Sequence, residues 1–447
     1  MKQVKEILIQ KLGMNLCADE LCAQLSDLIE NPDSFEEYTG LILNDEADEI
    51  CELLNVPHLK GKIQRLLIET LNHEVQSNPF ESTPLKSISM EQSISNQYRF
   101  VDIMHRHFDG YEALEAGDYG CVLGLGRPRR TAEVEKVIAE YFHAEDCILV
   151  RGAGTGAIRA ILFGAVKRGS KVLIHDASMY VTTQISLEGL GAELIRADFN
   201  DFETVRKAVV SGVDLVYIQR TRQQMSDSYD TIELIENIRK LNSEVCIVVD
   251  ENYAVFKVDQ LGCEAGADLS TFSCFKVMGI PGVGCVVGKK KYIDRLREHN
   301  YSGGGQVQGP EATEIMRSLV NVHVLLGVQN IAVEEICRRL NENEVNHVRK
   351  AVKANIEERI LLVQLDLPIA KQVMEEASKL GALPYPVGSE SRFEMHTMFY
   401  RVSRTMMEKH PIFANYVIRI NPMRAGADTV LRILDESIKN VLKNEKC

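Results

Sequence analysis

The sequence lacks any apolar run approaching the roughly 20 residues that a membrane-spanning helix needs. Its first residues, MKQVKEILIQKLG, mix apolar residues with charges, unlike the apolar stretch of a signal peptide. The eleven cysteines contain no CxxC pair and no Cys/His cluster at ligand spacing. We therefore expect a cytoplasmic protein without a membrane partner or a metal site, in which cysteines such as Cys246, Cys274 and Cys285 are buried reduced thiols.

Positive charge is also scarce. The chain has 51 Lys and Arg residues against 64 Asp and Glu residues, which gives a net charge of −13. A negative protein repels the phosphate backbone, so we do not expect nucleic acid to be the main partner. The length of 447 residues exceeds one ordinary core, and a hydrophobic content of 45% with 26% charged residues is typical of a globular protein with several domains.

The hydrophobic pattern divides the chain into three regions. Residues 1–80 show short amphipathic helical periods without a strand-like run, which predicts a helical N-terminal extension. Residues 81–300 begin with a polar arm and continue with β-branched runs alternating with helical periods, which predicts an α/β domain with a mostly parallel sheet. Residues 301–447 are helix-rich with a strand-like YVIRINP and predict a smaller C-terminal α/β domain.

A glycine-rich turn follows the first predicted strand, DCILV. In RGAGTGAIRA, Gly152, Gly154 and Gly156 precede a predicted helix. Glycines allow the backbone to approach an anion, and the N–H groups at a helix start bind it, with the Thr155 hydroxyl as a further donor. The turn therefore predicts a phosphate site.

The same turn also satisfies GxGxxA, the pattern of a dinucleotide-binding fold. Asp176, at the end of the next predicted strand, lies near the spacing of the ribose-binding acid in that fold. Taken by itself, the turn leaves open a nucleotide dehydrogenase, a different phosphorylated cofactor, and a tight turn without a ligand.

Two further predicted strands end near chemically active residues. EVCIVVD ends on Asp250, whereas LSTFS ends on Ser273 and is followed by Lys276 in CFKVMGIPGVG. The carboxyl ends of parallel strands lie at one edge of the sheet, where ligands bind. We therefore expect these three side chains to converge with the glycine turn.

These residue types suit the chemistry of pyridoxal phosphate (PLP). A lysine in a dry, cationic site forms an imine with the aldehyde, and a carboxylate keeps the pyridine nitrogen protonated. We expect Lys276 to carry PLP as a Schiff base, Asp250 to face the ring nitrogen and Ser273 to complete the phosphate site. Singly, an aspartate is also typical of a helix cap and a lysine of a solvated face, but the apolar setting TFSCF argues against solvated Lys276.

Six segments in order carry a family resemblance: GAGTGA, HDASMYVTT, VYIQRTRQ, VVDENY, FSCFKVMGIPGVG and VIRINP. Over about residues 100–435 they resemble the fold type I PLP-dependent enzymes of the aspartate aminotransferase superfamily. The tyrosine segment and the block spacing are similar to the cystathionine and methionine lyases. The stretch FSCFKVMGIPGVGCVVGKKKYIDRLREH is instead similar to bacterial selenocysteine synthase and its relatives.

The resemblance also implies roles for residues outside the predicted strand ends. Tyr180 matches the tyrosine that stacks on the PLP ring. Arg419 in VIRINP matches the arginine that binds the substrate α-carboxylate, with Arg424 as its alternative. Gln219 and Arg222 occupy the strand end that contacts the PLP 3-oxygen or the substrate.

A homodimer is implied by the resemblance, because the superfamily builds its sites at a dimer interface. The lyases reach the phosphate of the partner subunit through a Tyr-x-Arg pair. This chain has GLGRPRR instead, so Arg127 or Arg129 are candidates, and the segment SGGGQ at Ser302 to Gln306 is another.

The activity expected from these features is that of a PLP-dependent aminotransferase or a β/γ-eliminating lyase acting on a small amino acid or an amino-sugar derivative. Lys276, once released from the cofactor, would take the α-proton. Three alternatives stay open: a selenocysteine synthase-like enzyme, an NAD-dependent Rossmann dehydrogenase, and a non-catalytic PLP-binding regulator.

Overall fold

The structure is a computed structural model, and it describes residues 1–40, 42–221, 223–355, 359–385 and 390–444. The helices before the central sheet and within it are α1 (Lys2–Gln10), α2 (Ala18–Glu30), α3 (Asn44–Leu54), α4 (Lys60–Ser77), α5 (Met90–His107), α6 (Arg129–Tyr141), α7 (Ala153–Ala165), α8 (Val181–Leu190), α9 (Phe202–Val210), α10 (Thr231–Leu241) and α11 (Lys290–His299). The helices that follow are α12 (Gly309–Asn341), α13 (Ala370–Lys379), α14 (Arg404–Lys409), α15 (Phe413–Tyr416) and α16 (Ala427–Asn444).

The strands form two sheets. The strands of the central sheet are β1 (Asp146–Arg151), β2 (Lys171–His175), β3 (Glu193–Ala197), β4 (Leu215–Gln219), β5 (Cys246–Asp250), β6 (Leu269–Ser273) and β7 (Val283–Gly288). The strands of the second sheet are β8 (Val348–Lys353), β9 (Leu361–Leu365), β10 (Met398–Arg401) and β11 (Val417–Asn421).

The central sheet has seven strands in the order β1-β7-β6-β5-β4-β2-β3. Neighbouring strands from β3 to β6 pair in parallel, and β7 is antiparallel to both of its neighbours. The prediction of an α/β fold with a mostly parallel sheet is confirmed, because the alternation of strand and helix periods required crossover helices on the sheet faces.

Helices cover both faces of this sheet. On β1, Ile148 and Val150 face the core that contains α7, whereas Cys147 and Leu149 face the core that contains α6 and α12. Because side chains alternate along a strand, a strand buried on both faces is apolar throughout. The carboxyl ends of β4, β5 and β6 are left open beside the start of α7.

The helix α12 connects the central sheet to the C-terminal sheet, whose strands pair antiparallel in the order β10-β11-β9-β8. By length and composition alone, α12 could cross a membrane. Its Ile315, Met316 and Leu319 are fully buried in the same core as α6. Such burial is typical of the core helix of a globular domain.

The described residues of 1–80 fold into helices, as predicted, and their apolar side chains belong to a core shared with the C-terminal domain. Leu21 of α2 and Leu67 of α4 belong to the same apolar cluster as Val363 of β9 and Phe413 of α15. The N-terminal helices are therefore packed onto the C-terminal domain. The domain boundaries near residues 80 and 300 stay predictions.

Candidate active site

A cavity of about 220 Å³ lies at the carboxyl edge of the central sheet. Its wall is formed by the ends of β4, β5 and β6, by the first turn of α7 and by the residue before α8. The predicted site residues in this wall are Gly154, Thr155, Tyr180, Gln219, Asp250, Ser273 and Lys276. Residues separated by more than 100 positions are thus brought together because parallel strands end at the same edge.

The glycine turn is shaped by close backbone contacts. Gly152 precedes α7 with a φ of +98°, a conformation that favours glycine. A Cβ on Gly156 would lie 2.0 Å from the carbonyl oxygen of Arg151, and a Cβ on Gly154 would lie 2.9 Å from the Asn252 amide. The turn therefore brings the first N–H groups of α7 to the cavity, where a helix N-terminus binds an anion.

The carboxylate of Asp250 is held by three donors. Its Oδ2 accepts a hydrogen bond of 3.0 Å from the Tyr217 hydroxyl. Its Oδ1 accepts hydrogen bonds from the backbone N–H of Asn252 at 3.0 Å and from the amide of Asn252 at 2.6 Å. Burial and the nearby Asp250 raise the pKa of Tyr217 well above its ordinary value, so the phenol keeps its proton and donates it.

Asn252 connects two strand ends. While its Nδ2 donates to Asp250, its Oδ1 accepts a hydrogen bond of 2.9 Å from the backbone N–H of Ser273. The position of the acid at the end of β5 is therefore coupled to the position of the serine at the end of β6. Asn252 was not predicted from the sequence. An asparagine two residues after a strand-end aspartate is typical of a turn in which the aspartate accepts from the backbone, and it was the available signal.

Lys276 lies in a short 3₁₀ turn after β6 and points at an aromatic ring. Its Nζ is 3.6 Å from the ring centroid of Tyr253, which is a cation–π geometry. Tyr253 also lines the cavity and has a φ of +69°, a backbone conformation that a bulky residue rarely adopts. Strain of this kind is concentrated at functional sites. The sequence reasoning missed Tyr253 as well.

Gln219 presents an unused acceptor to the cavity. Its Nε2 donates to the carbonyl of Thr221 at 3.1 Å, and its buried Oε1 has no hydrogen-bond partner among the described residues. Tyr180 is 59% exposed, so its ring can contact a ligand. Arg222, the other residue predicted at this strand end, lies outside the described residues.

The two candidate arginines for the substrate carboxylate have different positions. The Arg419 guanidinium lies 4.2 Å from the ring centroid of Tyr400, and its Nε donates to the carbonyl of Arg401. The Arg424 Nη2 is 2.7 Å from the sulfur of Met278, two residues beyond Lys276. Neither arginine lines the cavity, and both roles stay predictions, but Arg424 contacts the turn that carries the lysine whereas Arg419 does not.

Three other polar residues, of which Arg127 and Asp176 were candidates from the sequence, have structural positions of their own. His175 is buried, and its Nε2 donates to Asp227 at 3.1 Å. Arg127 forms an ion pair of 2.9 Å with the buried Glu135. Asp176 is exposed and lies outside the cavity wall. It therefore does not have the position of a ribose-binding acid beside the glycine turn.

The residues present fit PLP. The amine Lys276, the acid Asp250 at the end of β5 and the first turn of α7 line the same cavity. The buried acceptor of Gln219 suits the 3-hydroxyl group of the cofactor. A site of this composition at the carboxyl edge of this sheet defines a fold type I PLP-dependent enzyme.

Comparisons with known proteins agree with that class. A family model described as Cys/Met metabolism PLP-dependent enzyme matches residues 87–357, and a model of the YhfS-like C-terminal domain matches residues 334–434. The chain belongs to the Cys/Met metabolism PLP-dependent enzyme family. This membership removes the NAD-dependent dehydrogenase and the non-catalytic regulator from the alternatives.

Individual relatives are consistent with this family. The uncharacterised protein YhfS of Escherichia coli K12 is 46% identical over 359 residues, which cover 80% of this chain and 99% of YhfS. A crystal structure of the pyridoxal-5'-phosphate dependent protein YhfS from Escherichia coli superimposes with a TM-score of 0.79 at 45% identity and covers 81% of this chain and 100% of that chain. An L-methionine gamma-lyase of Treponema denticola is 27% identical over 179 residues, 39% of this chain and 44% of the lyase.

A more distant structure shows the fold alone. A putative cystathionine beta-lyase involved in aluminium resistance from Listeria monocytogenes superimposes with a TM-score of 0.61 at 17% identity, over 84% of this chain and 98% of that chain. The lyases therefore share the architecture of this chain, while their reactions remain properties of those proteins.

Proposed function

We propose that Lys276 binds the PLP aldehyde covalently and that the enzyme eliminates a β or γ substituent from a small amino acid. The observation that carries the proposal is the convergence of Lys276, Asp250 and the first turn of α7 on one cavity. Bound PLP supplies an electron sink for bond cleavage at the α-carbon.

The residues that hold the cofactor follow from their positions. The N–H groups of Gly154 and Thr155, in the first turn of α7, together with the Ser273 hydroxyl, bind the phosphate. The N–H group of Gly156, which the sequence also offered for this role, donates to the carbonyl oxygen of Gly152 at 2.8 Å instead. Asp250, oriented by Tyr217 and Asn252, accepts a hydrogen bond from the pyridine N–H and keeps that nitrogen protonated.

Two side chains move protons in the proposed reaction. The Lys276 Nζ, when released, takes the proton from the substrate α-carbon, because an amine lying in the cavity wall is in reach of a bound substrate. The Tyr180 ring stacks on the cofactor face, and its hydroxyl donates a proton to the leaving group. Tyr180 is exposed enough to contact a substrate without rearrangement of the core.

The substrate carboxylate requires a cation near Lys276. Burial lowers the pKa of Arg424 and outweighs the opposite effect of Glu390 and Glu394, but a guanidinium stays protonated at neutral pH. Its Nη2 lies against Met278, two residues after Lys276, and this position near the lysine supports Arg424 as the arginine that binds the carboxylate. Arg419 is the alternative that the family resemblance implies.

Elimination is supported over transamination by the relatives. The family is that of Cys/Met metabolism, and one relative is described as an L-methionine gamma-lyase. We therefore propose sulfur-containing amino acids as the first substrate class. Transamination, and amino-sugar derivatives as substrates, are the alternatives.

The experiment combines cofactor mapping with a substrate screen. Borohydride reduction of the purified enzyme, followed by peptide mass analysis, should place the pyridoxyl group on Lys276 in the wild type and in Lys291→Ala, an exposed-lysine control. The label should be absent in Lys276→Ala. A label on a different lysine would refute the assignment.

The reaction is identified from its products. Elimination releases ammonia and a 2-oxo acid together with a thiol from methionine or cystathionine, or with hydrogen sulfide from cysteine. Transamination releases the 2-oxo acid without ammonia and requires an added 2-oxo acid as acceptor. Formation of oxo acid without ammonia would overturn elimination, and turnover of phosphorylated amino sugars alone would change the substrate class.

Three further expectations complete the proposal. We propose a homodimer, which sedimentation velocity tests, and a cytoplasmic location, which fractionation tests. The selenocysteine synthase-like alternative requires binding of charged tRNA. A filter-binding measurement that finds no such binding at low salt excludes it, whereas salt-sensitive tight binding would support it.

A further inference from the structure

Residues 1–80 are absent from both matching family models, which together span residues 87–434. Within the fold, these residues pack on the C-terminal domain, and their hydrogen bonds to it include contacts with residues 404–416, which contain α14 and α15. We call residues 404–416 the bridging segment. Its contacts connect the N-terminal helices with the edge of the active site.

Polar contacts attach the N-terminal helices to the bridging segment. The Nδ2 of Asn415 donates a hydrogen bond of 3.0 Å to the carbonyl oxygen of Leu12. The buried Tyr416 hydroxyl donates to Oδ1 of Asn72 at 2.9 Å. Because hydrogen bonds depend on direction, these two bonds fix the orientation of the bridging segment relative to the N-terminal helices as well as its distance from them.

Apolar contacts seal the same junction. The rings of Phe80 and Phe413 pack edge to face with centroids 5.5 Å apart. Gly13 approaches the backbone of Pro411 and Ile412 so closely that an added Cβ would lie 2.6 Å from it. The junction is therefore closely packed rather than a loose surface contact.

The opposite side of the bridging segment contacts the central-sheet domain. Oε2 of Glu408 accepts a hydrogen bond of 2.7 Å from the hydroxyl of Ser178, two residues before Tyr180. The Nζ of Lys409 donates to Oε1 of Gln224 at 2.5 Å, in the loop that follows Gln219. Both contacted loops flank the cavity.

The loop of residues 223–228 is itself fixed within the central-sheet domain by Asp227. The Asp227 carboxylate accepts the backbone N–H groups of Gln223 and Gln224 and the Nε2–H of His175. Burial opposes ionisation of Asp227, but the hydrogen bond from His175 and the backbone N–H groups outweigh it and lower its pKa. The loop is therefore an ordered surface on which the bridging segment rests.

A second residue of the C-terminal domain holds the same loop. Nδ2 of Asn355 donates to the carbonyl oxygens of Gln224, Met225 and Asp227 at 2.9, 2.9 and 3.1 Å. The loop thus connects the domain that holds the cofactor residues with the domain that carries the substrate-binding arginines. It follows Gln219 and Thr221 of the cavity wall along the chain.

We infer that residues 1–80 are an internal brace: they hold the bridging segment, and the segment positions Ser178 and the loop of residues 223–228 at the mouth of the active site. Glu408 and Lys409 are positioning residues, since they do not line the cavity. The inference goes beyond the proposed reaction, and its exchange measurement does not depend on that reaction, because it reports how well two loops are ordered.

Hydrogen–deuterium exchange of the holoenzyme tests the brace. Removing residues 1–80 would expose the shared core, so the variant is Tyr416→Phe combined with Asn415→Ala. This variant removes the hydrogen bonds to Asn72 and Leu12, keeps the aromatic packing and leaves the contact of His410 with Asn78 in place. The matched control is Lys439→Met on α16, a lysine that pairs only with Asp435 among the ion pairs of the described residues.

The brace predicts roughly 5- to 10-fold faster exchange in the peptides of residues 176–182 and 223–228, the size expected for a lost hydrogen bond. The control should leave both peptides unchanged. Faster exchange confined to residues 1–80 and 404–416, or no change at all, would overturn the inference, since the helices would then only stabilise the C-terminal domain.

A variant at the contact between the bridging segment and the central-sheet domain keeps the test decisive if the double variant folds poorly. Lys409→Met removes the contact with Gln224 and leaves the N-terminal junction intact. It should raise exchange in residues 223–228 alone and raise KM with little change in kcat, while Lys409→Arg restores both. A fall in kcat with unchanged KM and unchanged exchange would contradict a positioning role.

Discussion

Tyr217 donates a hydrogen bond of 3.0 Å to Asp250, and this bond fixes the acid of the cavity from inside the sheet. Tyr217 lies on β4, two residues before Gln219, which pairs with Asp250 in the sheet register. The two side chains therefore share one face of the sheet as diagonal neighbours. The Asp250 carboxylate is therefore held by a residue of the core, while Asp250 also lines the cavity.

Tyr217→Phe should lower kcat by roughly 10-fold, because one hydrogen bond to a charged group is lost while the ring packing stays. Cofactor affinity should change less than kcat. Tyr98→Phe, at an exposed tyrosine of α5, is the control. Steady-state kinetics measure the effect, and a variant with wild-type kcat would show that the hydrogen bond does not contribute to the reaction.

Asp250→Asn should lower kcat by about 100-fold or more, the scale of losing one preorganised charge contact at a reaction centre. The amide has nearly the same shape but cannot keep the pyridine nitrogen protonated. Asp176→Asn removes a strand-end carboxylate that is exposed and should have no effect. Equal activity losses in the two variants would argue against the proposed role of Asp250.

Arg424→Ala should raise KM by roughly 100-fold, because two charge-assisted hydrogen bonds to the substrate carboxylate are lost. Arg419→Ala should have a smaller effect, since its guanidinium is stacked on Tyr400. Initial-rate measurements with the same substrate compare the two. The larger KM increase in Arg419→Ala would assign the carboxylate to Arg419 and show that the C-terminal domain moves when substrate binds.

Gly154→Ala should weaken PLP binding by about 10-fold or more, since its Cβ would lie 2.9 Å from the Asn252 amide that holds Asp250. Gly189→Ala is a matched control in α8, where a Cβ would meet nothing within 4 Å. Fluorescence titration of the apoenzyme with PLP measures both. Unchanged affinity in Gly154→Ala would mean that the Asn252 bridge is dispensable.

His323 makes the stability of the fold depend on pH. Burial lowers its pKa to about 4, against an ordinary value of 6.5, and its Nε2 contacts the Tyr141 hydroxyl. The unfolded chain therefore binds the proton first as pH falls below 6.5, so the contribution is present at neutral pH and is lost between pH 6.5 and 4. The loss should be about 2 kcal/mol between pH 7 and 5.

His323→Gln provides the comparison, because it keeps a polar side chain that does not titrate. Denaturant unfolding at pH 7 and pH 5 should show a larger decrease in the unfolding free energy for the wild type than for the variant. Equal decreases would show that His323 does not carry this pH dependence.

Part of the site could be found from local patterns. The β-branched runs predicted the mostly parallel central sheet, and the ends of two of them located Asp250 and Ser273 at one edge. Glycines at 152, 154 and 156 and a lysine in an apolar setting are local features as well, so they could be recognised without knowing the fold.

Other parts depended on contacts between distant segments. Asn252 and Tyr253 follow the strand-end acid, but only the turn geometry shows that one bridges two strands and the other lies under the lysine. The Tyr217 contact depends on sheet register. The difference between Arg419 and Arg424 depends on how the C-terminal sheet lies against the 3₁₀ turn.

The sequence by itself determined the alternation of strands and helices, the glycine turn and the identity of the amine and the acid, because these are set by local periodicity and by residue chemistry. Only the tertiary structure decided what residues 1–80 pack against. The pattern of an amphipathic helix shows which of its faces is apolar, but it does not show which segment covers that face. Here the covering segments are residues 404–416 and the C-terminal core, and they are determined by packing between segments more than 300 residues apart.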